Sequence, residues 1–431
     1  MLKAGFARVE ATPPLGTFVP GAYANRFSEG VLDPIYVNAL ALSVGERRVL
    51  LVAADFLSIE EKYAKVLRAR ISARTGVPEG DIFITALHQH TAIALRGTSE
   101  DNNLMGNEKF LAVLYQRFDE VCAAAIDDLR DAVLSVAERE TAEKIAFIRR
   151  YRMKDGSVVT NPIGRGEEIA YPLCDADNTV RLLRFQRAGA RDIALVNFST
   201  HPDLIHKPVT SADWPGFVRT YMESALAGDI HCLVTVGVQG DSNHCNFFLE
   251  NYPDGYEHAK HMARVITDAA LSVWDNTEDV PVDAIDCKRD TVYNEPRTDG
   301  KERYDEMKAI LQDPEAAIKN DPTYETVARA KRIVTLCEKG AFVRPVPVSV
   351  ITLGRVAIVG FGGEPFTSYA KRLRAARPDL FLLTSCNANG SAGYLPSRAT
   401  FAEGGYEEAS TVFSPSLEDE CCSMALSLLN E

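Results

Sequence analysis

The sequence predicts an α/β fold of mixed β-sheets flanked by helices. Three observations carry that expectation. Apolar runs of strand length recur from residue 37 to residue 386. Segments with helical spacing of apolar residues lie between them, in the strand, helix, strand, helix order of this class. Four of the runs, ITALHQH, NFSTHP, VGVQGDSNH and VGFGGEPF, break off into polar residues, as strands do where α/β enzymes keep their chemistry.

Residues 37–44 and 48–54 read as two strands joined by a turn at Gly45-Glu46, with Asp55 after the second. Ser58 is placed to cap a helix, and Glu60 and Glu61 suit the positive end of its dipole. That helix runs to about Ala73, and Gly76 and Pro78 end it. The strand 81–87 delivers His88. A long helix over about 107–130 follows, with Phe110, Leu111, Leu114, Phe118 and Val121 on helical spacing. The alternating KIAFIRRYRM comes next, then a turn at Lys154-Asp155-Gly156 and an irregular stretch at Asn161-Pro162 and Gly164. TVRLLRFQ and DIALVNFS form a hairpin about Gly189, and the second strand ends at His201. Pro215-Gly216 opens a helix over about 217–227. HCLVTVGVQ is a buried strand ending in Gly240-Asp241-Ser242-Asn243, and a helix occupies 256–274.

The stretch 276–345 is more polar. It reads as peripheral strands with helices near 299–311 and 323–338, an insertion or cap within one continuous domain over 1–431. The run 346–361 reads as one buried strand ending at Gly362-Gly363-Glu364, and Pro365 suits the first turn of a helix that Ser368 to Ala376 continues. DLFLLTSC is a further strand. A loop rich in Gly, Ser and Asn fills 387–412, and a helix over 417–429 closes the chain.

The chain has 431 residues, 46% hydrophobic and 25% charged, with a formal charge of -13. That balance disfavours nucleic acid and anionic membranes as partners, because both attract a positive surface. No apolar run reaches the length of a membrane-spanning helix, so no stable membrane insertion is expected. MLKAGFARVEATPP lacks the apolar stretch of a secretory signal. Nine cysteines, an odd number without a CxxC spacing, fit a reduced chain, and the expected location is cytoplasmic. Cys421 and Cys422 are adjacent within the last helix and read as packing residues.

Histidine is scarce, with 8 in the chain, yet His88 and His90 stand one residue apart. On an extended strand residues i and i+2 face the same way, so the two can share a surface. One then binds a metal while the other meets a substrate; the plainer alternative is local hydrogen bonding. His201, stopped by Pro202, is a candidate partner, and His206 competes with it. Glu364 is either a helix cap or the carboxylate of a zinc set with two histidines. Asp241 is placed to orient a substrate, to cap a turn, or to hold a second divalent ion such as calcium or magnesium. Ser242 follows Gly240 by two, but position 244 is His, so no GxSxG elbow exists. HExxH, GxGxxG and GxxxxGK[ST] are absent, so a metal site would be assembled from distant segments at strand C-terminal ends.

These segments resemble the catalytic domain of the neutral/alkaline non-lysosomal ceramidases. AGFARVEATPP looks like that family's opening, Asp33-Pro34 and the strands ending AADF like its next segment, and LHQHTA like its histidine-threonine-histidine signature. NFSTHP, SADWPG, VQGDSN, GGEPFT and YEEAST follow in the family's order, so the likeness spans nearly the whole chain. It implies His88, His201, Glu364 and Tyr406 as zinc ligands, His90 beside the reacting water, and Tyr394 at the substrate. It also implies hydrolysis of the C–N amide bond of an N-acyl sphingoid lipid or a smaller amide. The signature departs at Thr91-Ala92-Ile93, where the family has serine-glycine-proline. The family's substrate arginine has counterparts in Arg149, Arg150 or Arg152. Full-length ceramidases usually carry an export signal and a C-terminal β-domain, neither of which is read here.

Two further classes stay open: a hydrolase of esters or carbohydrate-type substrates using the same metal, and a non-enzymatic metal-binding protein on the same scaffold. Trp214, Phe247, Phe248 and Tyr252 serve either as a mouth for such ligands or as packing.

Overall fold

A computed structural model describes residues 1–22, 25–97, 108–340 and 343–430. Its main sheet has nine strands among the described residues. Eight of them follow the order Ile230–Val236, Asp192–Phe198, Thr179–Arg187, Arg130–Glu140, Leu2–Glu10, Tyr36–Val44, Arg47–Ala54, Ile82–Ala86, and Glu278–Val280 pairs with Arg130–Glu140. The two outermost pairs are parallel and the inner ones antiparallel. The sheet is mixed and unclosed, with helices on both faces.

Strand alternation explains both faces. In Tyr36–Val44, Leu40 and Leu42 point into one core, while Val37, Ala39 and Ala41 point into the other. The first core is completed by Trp214, Val218 and Met222 of helix Asp213–Ala225 and by Met262 and Ile266 of helix Gly255–Ser272. The second takes Leu67 and Ile71 of helix Glu61–Thr75 and Leu114, Phe118 and Val121 of helix Glu108–Asp127. Each such fully buried side chain contributes about 1.5–3 kcal/mol over leaving it in water. A second, four-stranded sheet, ordered Ile285–Val292, Val346–Leu353, Val356–Phe361, Phe381–Ser385, packs on helices Thr367–Ala376 and Leu417–Asn430.

Segment 384–389 fastens both outer edges of the large sheet. Cys386 N donates to Val236 O at 3.0 Å, and the Asn197 amide donates to Thr384 O at 2.9 Å on one side. Thr85 Oγ1 donates to Cys386 O at 2.8 Å on the other, and Thr85 bridges Ala388. Strands far apart in the sheet therefore end near one another.

Several expected elements differ. Arg130–Glu140 and Leu2–Glu10 are strands that the pattern did not reveal. Arg130–Glu140 buries only Leu134, Ser135 and Val136, so its charged ends hide the alternation. Ser58 is no helix cap. It pairs with Ala94 in a two-residue strand, and Glu60 takes the cap position without a side-chain bond to the helix. The run 346–361 is two antiparallel strands, turned at Gly354, whose φ is +55° and where a Cβ would lie 2.2 Å from Pro281 O. Pro365 belongs to a short strand paired with Leu395, and the helix begins at Thr367. The helix expected from Pro215 begins earlier, at Asp213. The expected loop 387–412 contains the short strand Tyr394–Leu395 and the short helices Thr400–Glu403 and Tyr406–Ser410. The long helix is described from Glu108, and its expected start at residue 107 lies outside the described residues.

Within 276–345, the strand Ile285–Val292 is an edge of the second sheet, and a helix at Pro314–Asn320 adds to those expected. Helix Glu325–Glu338 is tied to Tyr406–Ser410 by Arg332 Nε, which donates to Ala409 O at 3.0 Å, and by the Arg329–Glu408 ion pair. Among the described residues, no helix is long and apolar enough to cross a membrane.

Candidate metal centre

His88 follows the strand Ile82–Ala86 by two residues, His201 follows Asp192–Phe198 by three, and Glu364 follows Val356–Phe361 by three. One ring nitrogen from each of His88, His90 and His201 lies within 4.8 Å of the others, a cluster able to hold a divalent ion. Glu364 Oε2 stands 3.3 Å from His88 Nε2 and 3.2 Å from His201 Nε2. All but His90 are buried.

The convergence of His88 and His90 has a different cause from the expected one. The strand has already ended, and His88 sits at φ +73°, in the left-handed region. A tight loop, not strand alternation, brings the two rings to 5.0 Å. Buried Gln89 between them anchors that loop, donating to Asp55 Oδ1 at 3.2 Å. Asp55 also takes two hydrogen bonds from the Arg219 guanidinium and one from Tyr36 N. The sequence singled out neither Gln89 nor Arg219; the carboxylate directly after a buried strand was the available signal.

Each histidine is oriented by a backbone carbonyl. His88 Nδ1 lies 2.8 Å from Leu57 O, His90 Nδ1 2.9 Å from Gly21 O, and His201 Nδ1 2.7 Å from Gln239 O. A carbonyl only accepts, so each Nδ1 carries the proton and each neutral ring keeps its lone pair on Nε2. His90 Nε2 is buried with no hydrogen-bond partner. Leaving such an atom unpaired costs about 1–3 kcal/mol, a cost that a bound cation or water removes. The Nε2 atoms of His88 and His201 beside the Glu364 carboxylate are also a donor set suited to zinc, with His90 Nε2 at its edge. The residues fit the ion.

Charge follows from this packing. Burial would push the Glu364 carboxyl up, but His88 and His201 hold it well below the ordinary carboxylate range. Burial would lower His88, yet Glu364 and the Leu57 carbonyl hold it above its ordinary value. Burial, aided by His88, pushes His90 down to about 3. His88 and Glu364 thus favour one another's charged forms, while burial favours the neutral form of His90.

Glu364 is not a helix cap. The N-cap position is Phe366, and the helix's first residue is met from a distant segment by Asp241, whose Oδ1 accepts from Thr367 N at 2.8 Å and from Thr367 Oγ1 at 2.7 Å. Close packing joins the two segments, since a Cβ on Gly240 would lie 2.3 Å from Glu364 O. His206 is a surface residue paired with Asp254 at 3.2 Å.

Tyr394 pairs in register with Glu364, and its ring centroid lies 6.4 Å from that of His201. Burial raises its phenol well above the ordinary value although Arg149 opposes this, so it keeps its proton. Tyr406 stacks edge-on against Tyr394 at 5.6 Å. Of the three arginines, Arg149 lies over Tyr394 and Arg150 pairs with Glu407 at 3.5 Å. The Arg149 guanidinium lies 5.0 Å over the Tyr394 ring, while its Nε donates to buried Glu407 at 2.7 Å and its Nη2 to Gly240 O at 2.8 Å. Arg150 binds Glu403 and Gly404, and Arg152 binds Gly156 O. Glu407 went unremarked in the sequence, although the paired acids of YEEAST flagged the segment. Trp214 is core, packed edge-on against Phe198 at 5.9 Å. Phe247, Phe248 and Tyr252 do not line the cavity beside His88.

No family model and no curated protein matches the chain. Solved structures do. A neutral ceramidase from Pseudomonas aeruginosa aligns with a TM-score of 0.74 and 14% identity over 100% of this chain and 74% of that one. A ceramidase complexed with C2 aligns with the same score and identity over 100% and 75%. The fold is therefore that of the neutral ceramidases.

Proposed function

We propose that the chain is a zinc-dependent hydrolase that cleaves a C–N amide bond. One observation carries this reading most strongly: three histidines, each locked through Nδ1 by a backbone carbonyl, converge beside a buried carboxylate. The ceramidase fold supports amides over other acyl substrates.

His88, His201, Glu364 and Tyr406 would hold the ion. When bound, it polarises a scissile carbonyl and lowers the pKa of water toward 7. The chain's own groups supply the rest. His90, with its proton fixed on the Nδ1 side, offers Nε2 as an acceptor, so it takes a proton from the attacking water and returns it to the departing nitrogen. Tyr394, kept protonated by burial, donates toward the developing oxyanion, and Arg149 fixes its ring.

The test is metal analysis with turnover of an amide, ester and glycoside panel. One bound zinc, lost in His88→Ala, with amide cleavage is the expected result. Cleavage of esters or glycosides alone would replace the amidase reading, and zinc without turnover would leave a binding protein. His90→Gln should keep zinc and lose turnover; loss of both would make His90 a ligand.

A further inference from the structure

One buried carboxylate lies behind both tyrosines of the candidate site. Glu407 is 0% exposed and directly follows Tyr406 in the short helix Tyr406–Ser410. Its two oxygens lead in different directions. Oε1 accepts from Arg149 Nε at 2.7 Å, and Oε2 accepts from Thr160 Oγ1 at 2.7 Å. Arg150 Nε adds an ion pair to Oε2 at 3.5 Å.

Each oxygen leads to one tyrosine. With Nε on Glu407 and Nη2 on Gly240 O, the Arg149 guanidinium is held at two of its nitrogens, and it lies 5.0 Å over the Tyr394 ring. A planar cation anchored twice keeps one orientation, so the ring face it covers is attracted to a fixed place. On the other side, the Thr160 hydroxyl has a single proton to donate. Glu407 takes it, which leaves the hydroxyl oxygen to accept from Tyr406 N at 3.2 Å. The chain is close there, since a Cβ on Gly405 would lie 2.9 Å from Thr160 Oγ1. Without Glu407, Arg149 loses one of its two anchors and the Thr160 proton loses its acceptor.

The short helix does not hang on Glu407 alone. Glu408 pairs with Arg297 at 2.5 Å and with Arg329 at 3.3 Å, and Arg332 Nε donates to Ala409 O. Those bonds come from the stretch 276–345 and remain when Glu407 is changed. Its loss loosens two side-chain settings and leaves the helix docked.

We infer that Glu407 is a positioning residue for the site: through Arg149 it sets the Tyr394 ring, and through Thr160 it sets Tyr406. The consequence for turnover rests on the amide-hydrolase reading; the setting of the two rings does not.

The test uses the full chain with carbon-13 at tyrosine Cζ, read by NMR without turnover. Tyr394→Phe and Tyr406→Phe each remove one signal and so assign the pair. Glu407→Gln keeps the side-chain size and removes the charge, and it should shift both signals. Thr160→Val should shift that of Tyr406 alone, and Glu407→Asp should restore part of the native position. In the zinc-loaded chain, Glu407→Gln should lower kcat on an amide by roughly 10- to 100-fold, the scale of a reacting group misplaced by a fraction of an ångström to one, with KM nearly unchanged. In a Tyr394→Phe background the further fall should be below about 5-fold, because residues that act through one another are not additive. Signals that stay in place in Glu407→Gln, or an equal fall in both backgrounds, overturn the inference and spare the hydrolase. Shifted signals with no amide cleaved support the positioning and overturn the hydrolase. If Glu407→Gln does not fold, Thr160→Val decides: a shifted Tyr406 signal supports the inference and an unmoved one overturns it.

Discussion

Two histidine clusters lie on this molecule, and the same side chain does opposite things in them. At the candidate metal centre, His88, His90 and His201 each rest Nδ1 on a backbone carbonyl. Near the Asp254 turn, three imidazoles face carboxylates. His244 lies between Asp203 at 3.5 Å and Asp254 at 3.0 Å, His206 meets Asp254, and His261 meets Glu143 at 3.0 Å. A carbonyl fixes one proton and leaves a lone pair on the far nitrogen. Carboxylates on both sides favour a proton on each nitrogen, and an imidazolium binds no metal. Burial would lower His244, but Asp203 and Asp254 hold it well above its ordinary value. The lesson is that the acceptor behind a histidine, not its company of other histidines, decides whether it can be a ligand.

The sharpest way to break this contrast is to remove one histidine from each cluster. His88→Ala should weaken zinc binding more than the roughly 100-fold seen when a ligand's supporting partner is lost, and His244→Ala should leave it unchanged by metal titration. Next comes the anchor of the histidine loop. Asp55→Ala strands the buried Arg219 charge and releases Gln89, so it should cost about 3–5 kcal/mol in denaturant unfolding. Tyr394→Phe should lower kcat by roughly 100- to 1,000-fold with zinc retained, as loss of an oxyanion donor does.

The smallest effect is in pH. In the zinc-free protein His88 is held above 6.5, so its contribution to stability is full below that value and is lost as pH rises through the raised one. Glu364 is held below 4.5, so its contribution is present above that value and is lost only as pH falls through the depressed one. The ion pair therefore opposes zinc across that window. The gain in Tm on adding zinc should grow as pH rises above 6.5 through the raised value of His88. A flat profile would show that the pair does not compete with the metal.

Much of this was legible in the chain. Buried strands with polar endings identify His88, His201 and Glu364 as candidates, because an apolar run can tolerate polar residues only where it leaves the core. The strand Arg130–Glu140 was illegible because its charged ends reach beyond the three residues it buries. The Ser58 cap failed for another reason: pairing with Ala94 competes with capping and wins. The hairpin at Gly354 was missed because both of its strands are buried, so the apolar run continues almost across the turn.

By itself the sequence determined the α/β class, the endings of the site strands and the scarcity that makes each histidine conspicuous. Those are local properties, fixed by side-chain hydrophobicity and spacing. Only the tertiary structure decided that opposite edges of one sheet meet through residues 384–389, that His88 turns left-handed to face His90, and that carbonyls back one histidine cluster while carboxylates back the other. Such choices depend on groups that chain spacing does not bring together, from Leu57 and His88, 31 residues apart, to Thr85 and Cys386, 301 apart. Periodicity along the chain carries no record of them.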